Sequence, residues 1–569
     1  MTEFSEAREC RVMRNVRVRM RDGVTLATTV VLPRGDGPCP VVLVRTAYNR
    51  VWNVTADFAG RGMALVCQDC RGRYDSDGEW WPFTSEENDG ADTLEWISQQ
   101  PWCNGKIGMF GDSYLAFTQF HAVRQGAHRL TALNPRFMSP NCWKRAYYCD
   151  GAFSLALTWS WLCFECAGRT SEANTMPMYD VAALLRTLPL VSLDERSGRE
   201  PIPYYRDYVR RFAYDAQWDR FTEHERCGQY TMPVLLTAGW YDYYPADTIR
   251  FFQNLTRRGP TREVRDSHRL LIGPWTHGVN SKSTLGELDF GPNALQENDA
   301  TSRWLDCMLK ERGAAAFQKA PIRVFVMGRN EWRDADEWPP KGTRFQKWYL
   351  HSGGAANGLN GNGRLDAQVA GDEKPDRYVY DPAKPVPTLG GNHSVGPYNP
   401  GLYELAMPGP FDQRPVERRE DVLVFTSEPL AEDTEVIGPV TLKLHAATSA
   451  RDTDFVARLV DVYPDGRAMN ITEGVIRARF RDEQWERPTL LDPGRIYEYA
   501  IDLQATANVF LKGHRVRLDI TSSNFPLWDR NLNTGNDPGT DTELRTAEQT
   551  IFHDRARPSC LVLPVVPRG

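Results

Sequence analysis

Three uninterrupted apolar runs, Val41-Val42-Leu43-Val44, Ala64-Leu65-Val66-Cys67 and Ile107-Gly108-Met109-Phe110, constrain the fold more than any other feature of the chain. A strand with one face in water alternates polar and apolar residues. A strand that is apolar at every position must be covered on both faces, which is the condition of a parallel sheet flanked by helices. Helical stretches stand between the runs, such as Thr93-Leu94-Glu95-Trp96-Ile97-Ser98, with Asp92 ahead of it as a cap. The alternation predicts an α/β domain built from strand–helix–strand units.

Between Cys142 and Cys227 the strand rhythm stops, and aromatic residues such as Trp143, Tyr147, Trp159, Trp161, Tyr204 and Trp218 crowd a mostly helical stretch. Apolar strands return at Val234-Leu235-Leu236-Thr237-Ala238-Gly239 and Leu270-Leu271-Ile272-Gly273, so the helical stretch is an insertion over a sheet completed after it. A Gly/Asn-rich segment from Ser352 to Gly363 marks the next boundary by composition. Beyond it the period changes to two: Val440, Leu442 and Leu444 alternate with Thr441 and Lys443, and Val516, Leu518 and Ile520 with Arg515, Arg517 and Asp519. The expected organisation is an α/β domain in two parts, residues 1–143 and 229–352, an inserted helical cap over 144–228, and an all-β domain of jelly-roll type over 353–569.

The 569 residues carry 68 Lys and Arg against 74 Asp and Glu, a formal charge of −6. That is too small and of the wrong sign for a chain built to neutralise phosphates, so nucleic acid is not expected as a partner. The most apolar segment, Gly151 to Phe164, falls short of the ~20 residues a membrane crossing needs and contains Ser154, Thr158 and Ser160. It reads as a buried helix, and no membrane partner is expected. The start Met1-Thr2-Glu3-Phe4-Ser5-Glu6 lacks the basic-then-apolar pattern of a secretory leader, which makes a cytoplasmic location the expectation. Twelve cysteines are too sparse here for a disulfide scaffold. Of the two Cys-x-x-Cys pairs, Cys67/Cys70 begins inside a core strand and Cys163/Cys166 lacks a histidine pair of ligand spacing, so free thiols and no metal are expected.

Gly111-Asp112-Ser113-Tyr114 joins the strand Ile107–Phe110 directly to the helical run Leu115–Val123. A serine on such a turn is a nucleophile elbow: its hydroxyl stands above the carboxyl edge of the sheet. The helix N-terminus, with the Tyr114 backbone N–H, faces the place where an oxyanion would form. A serine hydroxyl needs a histidine to take its proton, and the histidine needs a carboxylate to orient it. The two resumed strands run into Gly239-Trp240-Tyr241-Asp242 and Gly273-Pro274-Trp275-Thr276-His277. Asp242 and His277 thus lie past strand ends, in the chain order Ser, Asp, His of an α/β-hydrolase. Singly, one is a loop acid and the other one of ten histidines; their joint placement selects them. Tyr48 ends the strand from Val41 at the same edge, where its phenol can give the oxyanion a second hydrogen bond.

At these residues the chain resembles the cocaine esterase and X-Pro dipeptidyl-peptidase family of serine hydrolases, the CocE/NonD family. The resemblance runs through Arg45-Thr46-Ala47-Tyr48, the stretch from Asp69 to Gly78, Asp89-Gly90-Ala91-Asp92-Thr93, Gln100-Pro101-Trp102-Cys103-Asn104-Gly105, the elbow and the two strand ends. In the last third it runs through Thr453-Asp454-Phe455, Asp461-Val462-Tyr463-Pro464-Asp465-Gly466 and Ser522-Ser523-Asn524-Phe525-Pro526. It implies an α/β-hydrolase domain with a helical cap and a C-terminal jelly roll, a catalytic set of Ser113, Asp242 and His277, oxyanion donors at Tyr48 and Tyr114, and no metal or organic cofactor. Ala116 stands where such elbows usually have a second glycine, Ala47 where a proline commonly precedes the oxyanion tyrosine, and Leu527 where a basic residue is frequent. None of the three removes a reacting group.

Relatives that cleave α-amino acid esters hold the substrate amine with acids just after the catalytic aspartate, whereas Asp242 is followed by Tyr243-Tyr244-Pro245. The expectation is a small-molecule ester or amide with an aromatic or apolar acyl group, packed by Tyr243, Tyr244, Trp159 and Trp161; Asp112 is a candidate to contact a cationic or hydroxylated substrate, its alternative reading being a carboxylate paired with a neighbouring arginine. The rival readings are an acyltransferase that passes the acyl group to an amine or alcohol, and a non-catalytic carbohydrate-binding protein. Sequence leaves homo-oligomerisation open.

Overall fold

Ten strands form the first sheet of the computed structural model, which describes residues 10–35, 37–311, 317, 319–482 and 485–567. The acidic start Met1 to Glu6, considered above for a leader, lies outside them. In chain order the strands are β1 (Arg11–Arg19), β2 (Thr25–Leu32), β3 (Cys39–Thr46), β4 (Ala64–Asp69), β5 (Cys103–Asp112), β6 (Ala132–Arg136), β7 (Leu235–Gly239), β8 (Arg269–Gly273), β9 (Ile322–Val326) and β10 (Glu331–Ala335). They lie in the order β1-β2-β4-β3-β5-β6-β7-β8-β9-β10. From β4 to β9 every pairing is parallel, and β1, β2 and β10 close the edges antiparallel.

All residues of β3, β4 and β7 are buried. Successive side chains of β3 enter two different cores, which is why the run has no polar position. Val41 and Leu43 pack with Leu94 and Ile97 of helix α1 (Glu86–Ser98) and with Phe117 and Phe120 of helix α2 (Tyr114–Gly126). Val42 and Val44 pack on the other face with Trp304, Leu305 and Leu309 of the helix Ala300–Lys310. Helix α1 starts well before Asp92. Its first turn holds Glu86, Glu87 and Asp89, which suits the positive end of the helix dipole. Asp92 therefore caps nothing and instead accepts hydrogen bonds from Arg21 at 2.7 and 2.9 Å.

The cap leaves the sheet after β6 and returns at β7 as short helical pieces, including Leu155–Ser160 continued by a π turn at Trp161–Glu165, then Val181–Leu185 and Pro203–Arg210. All twelve cysteines are free.

The C-terminal domain is a second sheet of eleven strands in jelly-roll form. Its long strand Thr434–Thr448 pairs with Tyr497–Phe510 on one side and with Ala547–Phe552 and Cys560–Val565 on the other. Val440, Leu442 and Leu444 point inward while Lys443 is exposed, as the period of two requires. On Arg515–Thr521 the polar Arg517 and Asp519 are buried as well, and Arg517 pairs with Glu417 at 2.5 Å. The expected domain boundary at 352/353 is corrected. Strand Arg344–His351 pairs with Cys560–Val565 in the second sheet, so the β domain begins between Ala335 and Arg344. The Gly/Asn-rich segment is a loop within that domain, and composition marks a loop without telling which side of a boundary it serves.

The domains are stitched by backbone hydrogen bonds: Met327 N–H donates to Ala507 O at 2.9 Å and Val509 N–H to Met327 O at 2.9 Å. Ala156 in the cap donates to Pro526 O at 3.1 Å. Cap and β domain thus meet above the carboxyl edge of the first sheet.

Candidate active site

Strand β5 stops at Asp112 and helix α2 starts at Tyr114, leaving Ser113 alone to make the turn with φ 58° and ψ −124°. That left-handed φ is strained for a residue with a side chain and persists because its surroundings fix it. The Ser113 N–H donates to Arg136 O on β6 at 2.9 Å, and Ser113 O accepts from Ala116 and Phe117 N–H at 2.9 and 3.1 Å. At Gly111, φ is +150° and an added Cβ would lie 2.4 Å from Leu115 Cβ, so only glycine fits. The methyl of Ala116, a departure noted above, is fully buried behind the turn.

Asp242, three residues past β7, is fully buried, and its Oδ1 accepts from Tyr243 N–H at 2.8 Å. His277, past β8, places Nδ1 at 3.2 and 3.1 Å from the two Asp242 oxygens. Burial works against the imidazolium, but the Asp242 charge and hydrogen bond, aided by Asp112 and Glu165, hold the His277 pKa above its ordinary 6.5. His277 and Ser113 line one cavity of about 340 Å³. No direct hydrogen bond joins their side chains among the described residues, and such contacts commonly tighten only around bound substrate.

Tyr48 lines the same cavity, and its hydroxyl oxygen accepts from Trp161 Nε1–H at 3.0 Å. Burial, then the neighbouring Glu165 charge, pushes the phenol well above 10, keeping it protonated as a donor. The Tyr114 side chain is spent elsewhere: its hydroxyl donates to Glu86 at 2.9 Å and accepts from Phe83 N–H at 3.0 Å. Its backbone N–H opens α2, where helix donors have no intrahelical partner.

A smaller chamber of about 40 Å³ adjoins the first, sharing Tyr48, Ser113, Leu157 and Trp161 with it and adding Tyr114, Met138 and Tyr244. It takes a short alkyl chain; a benzene-sized guest needs a cavity of roughly 150 Å³. Ser113 therefore stands where a small apolar inner chamber meets a larger outer one that holds His277, Asp112 and Glu165.

Of the sequence-predicted substrate residues, Trp161 walls both chambers and Tyr244 the inner one, with the Tyr244 ring 5.6 Å from that of His277. Trp159 and Tyr243 are corrected. Residues two apart on a helix point ~200° apart, so with Leu157 and Trp161 facing the cavity, Trp159 faces the cap interior. It is fully buried there, donating to Ser197 Oγ at 3.0 Å and packing on Phe164. Tyr243 turns away from its neighbour's chamber toward His393, ring centroids 6.3 Å apart. Asp112 lines the outer chamber but is occupied by Arg136, whose Nη2 lies 3.0 Å from Oδ2.

Sequence reasoning missed Glu165, Trp52, Asn53, Tyr398 and Asn399, all on the outer wall. Glu165 carries a legible signal, because it shares a helical face with Leu157 and Trp161. Tyr398 and Asn399 carry none, since they reach the cavity from the β domain.

The profile of the X-Pro dipeptidyl-peptidase (S15 family) matches residues 22–279, and that of the X-Pro dipeptidyl-peptidase C-terminal non-catalytic domain matches 315–562. The chain is 38% identical over 586 aligned positions to the cocaine esterase of Rhodococcus sp. (strain MB1 Bresler), covering 98% of this chain and 99% of that one. A solved α-amino acid ester hydrolase superimposes with a TM-score of 0.85 at 27% identity, covering 99% of this chain and 98% of its own. An aminopeptidase from a marine sediment archaeon, Thaumarchaeota archaeon, also gives 0.85, at 25% identity, covering 100% of this chain and 98% of its own. The chain belongs to the family of α/β-hydrolases that includes cocaine esterase and the X-Pro dipeptidyl-peptidases, and it is a serine hydrolase of ester or amide bonds.

Proposed function

We propose that the protein hydrolyses esters of small apolar acids through Ser113, His277 and Asp242, with Tyr48 and Tyr114 N–H as oxyanion donors. The observation that carries this reading is the Asp242–His277 contact at 3.1 Å. With Nδ1 engaged by the carboxylate, the other ring nitrogen is left for the cavity that His277 shares with Ser113.

Ser113 Oγ attacks the acyl carbonyl while His277 Nε2 accepts its proton, and Asp242 holds the imidazole tautomer and stabilises the imidazolium. The tetrahedral oxyanion is met by the Tyr48 hydroxyl and the Tyr114 N–H, each worth about 3 kcal/mol in such sites. His277 then protonates the leaving oxygen, and water repeats the sequence on the acyl-enzyme. The leaving group must face His277, which lines only the outer chamber, and the oxyanion must face Tyr114, which lines only the inner one. The acyl chain therefore sits inside, against Tyr244 and Met138, and the alcohol sits outside.

The test is a panel of acyl esters assayed with the wild type and Ser113→Ala, together with labelling by a fluorophosphonate. The expected outcome is a labelled Ser113 and a loss of ester hydrolysis of about 10⁵-fold or more in the variant. Retained hydrolysis in Ser113→Ala, or failure of the wild type to react with the probe, overturns the reading.

A further inference from the structure

The mechanism leaves one ionisable group of the outer chamber without a task. Glu165 ends the π turn Trp161–Glu165 and lines the cavity with Ser113 and His277. Among the described residues its carboxylate makes no hydrogen bond and no ion pair. The other charges there are committed: Asp112 to Arg136, and His277 to Asp242. Arg73, whose charge acts on Glu165, gives its hydrogen bonds to backbone carbonyls: Ala47 O at 2.8 Å, Glu165 O at 2.9 Å and Gly168 O. It helps the carboxylate through space but supplies it no hydrogen bond. Trp52, Trp161, Tyr48 and Tyr398 share the same wall.

A half-buried carboxylate among aromatic rings is the chemistry that holds an alkylammonium: the acid supplies the counter-charge and the ring faces take the methyl groups. We propose that Glu165 selects substrates whose leaving alcohol carries an ammonium group, and rejects those carrying a carboxylate. The inference rests on the assignment of the outer chamber to the leaving group. Burial pushes the Glu165 pKa up to about 7, so the site accepts a neutral alcohol in acid solution and gains its selectivity as the carboxyl ionises. The groups around it are Arg73, His277, the Asp112–Arg136 pair, the Cys166 thiol and the phenols of Tyr48, Tyr74 and Tyr398. Of these, His277, which Asp242 holds above its ordinary 6.5, must be neutral for every ester alike, so its effect cancels in a ratio.

The experiment compares two butyrate esters of equal shape, the choline ester and its neutral isostere, the 3,3-dimethylbutyl ester. For the wild type at pH 8, kcat/KM is expected to favour the choline ester by about tenfold, to lose most of that preference at pH 5.5, and to show a ratio near one at both pH values in Glu165→Gln. A wild-type ratio near one at pH 8, or an unchanged ratio in the variant, overturns the proposal; the first comparison does not depend on the variant folding. Calorimetric titration of Ser113→Ala with choline keeps this inference separate from the choice of nucleophile. Binding that weakens about tenfold in Ser113→Ala/Glu165→Gln supports the ammonium site whatever residue attacks the ester. Absence of choline binding to Ser113→Ala counts against it even if Ser113 proves to be the nucleophile.

Discussion

The indole Nε1–H of Trp161 donates to the hydroxyl oxygen of Tyr48 at 3.0 Å. The cap thereby fixes a donor that belongs to the sheet domain, and the Tyr48 proton is left to point elsewhere. A phenol that already accepts one hydrogen bond donates a stronger one, so the pair is polarised toward the cavity. The expected outcome for Tyr48→Phe is a fall in kcat of about 10²–10³-fold with KM little changed, the signature of a donor used in the transition state. Trp161→Phe keeps the ring but removes the N–H, and should lower kcat by about tenfold through Tyr48. Measured in the Tyr48→Phe background, the Trp161 substitution should cost much less, because the group it acts through is gone.

The acid limb of the pH profile should report His277. The imidazole must be neutral to accept the Ser113 proton, so kcat/KM for a neutral ester rises with pH through a pKa that Asp242 holds above 6.5. In Asp242→Asn the raising contributions of that carboxylate are lost while burial remains, so the midpoint moves down. The rate falls by about 10⁴-fold as the imidazole loses its orienting partner. An acid limb that stays where it was in the variant would assign the titration to another group.

Tyr244 and Tyr243 should separate cleanly in acyl selectivity. Tyr244 walls the inner chamber of about 40 Å³, whereas Tyr243 packs beside His393. Tyr244→Ala opens room for a ring, and the ratio of benzoate to butyrate ester hydrolysis is expected to rise about tenfold. Tyr243→Ala should leave that ratio within about twofold, whatever it does to stability. Using a ratio removes any shared effect on His277.

Glu165 should make stability depend on pH in the direction opposite to a salt-bridged acid. Its folded-state pKa is raised from 4.5 to about 7, so between those values the folded chain binds the proton that the unfolded chain has released. Stability then falls as pH rises through this window and stays reduced above it. Glu165→Gln cannot ionise, so its melting temperature should exceed that of the wild type at pH 8 and approach it at pH 5. Calorimetric scans at the two pH values check this.

Much of the molecule is determined by local pattern. The apolar runs at Val41, Ala64 and Ile107 require a doubly covered sheet, because no other environment removes every side chain of a strand from water. Gly111 and Ser113 specify the elbow because their backbone conformations and the contact with Leu115 admit little else. Asp242 and His277 follow from strands that end where an α/β sheet gathers its loops. These relationships extend over a few residues, so a sequence records them directly.

The tertiary structure alone decided the rest. Whether Trp159 or Trp161 faces the cavity depends on how the helix Leu155–Ser160 is docked, and rotating it by half a turn would exchange them without changing its sequence pattern. Arg344–His351 joins the β domain because its hydrogen-bonding partner, Cys560–Val565, lies some two hundred residues later. Tyr398 and Asn399 reach the cavity from a domain whose relatives are described as non-catalytic. Among the described residues the Glu165 carboxylate has no hydrogen-bonding partner, while Arg73, some ninety residues earlier in the chain, gives its hydrogen bonds to the backbone carbonyls of Ala47, Glu165 and Gly168. Each of these facts depends on chain segments converging in space, and periodicity along the chain carries no record of which segments meet.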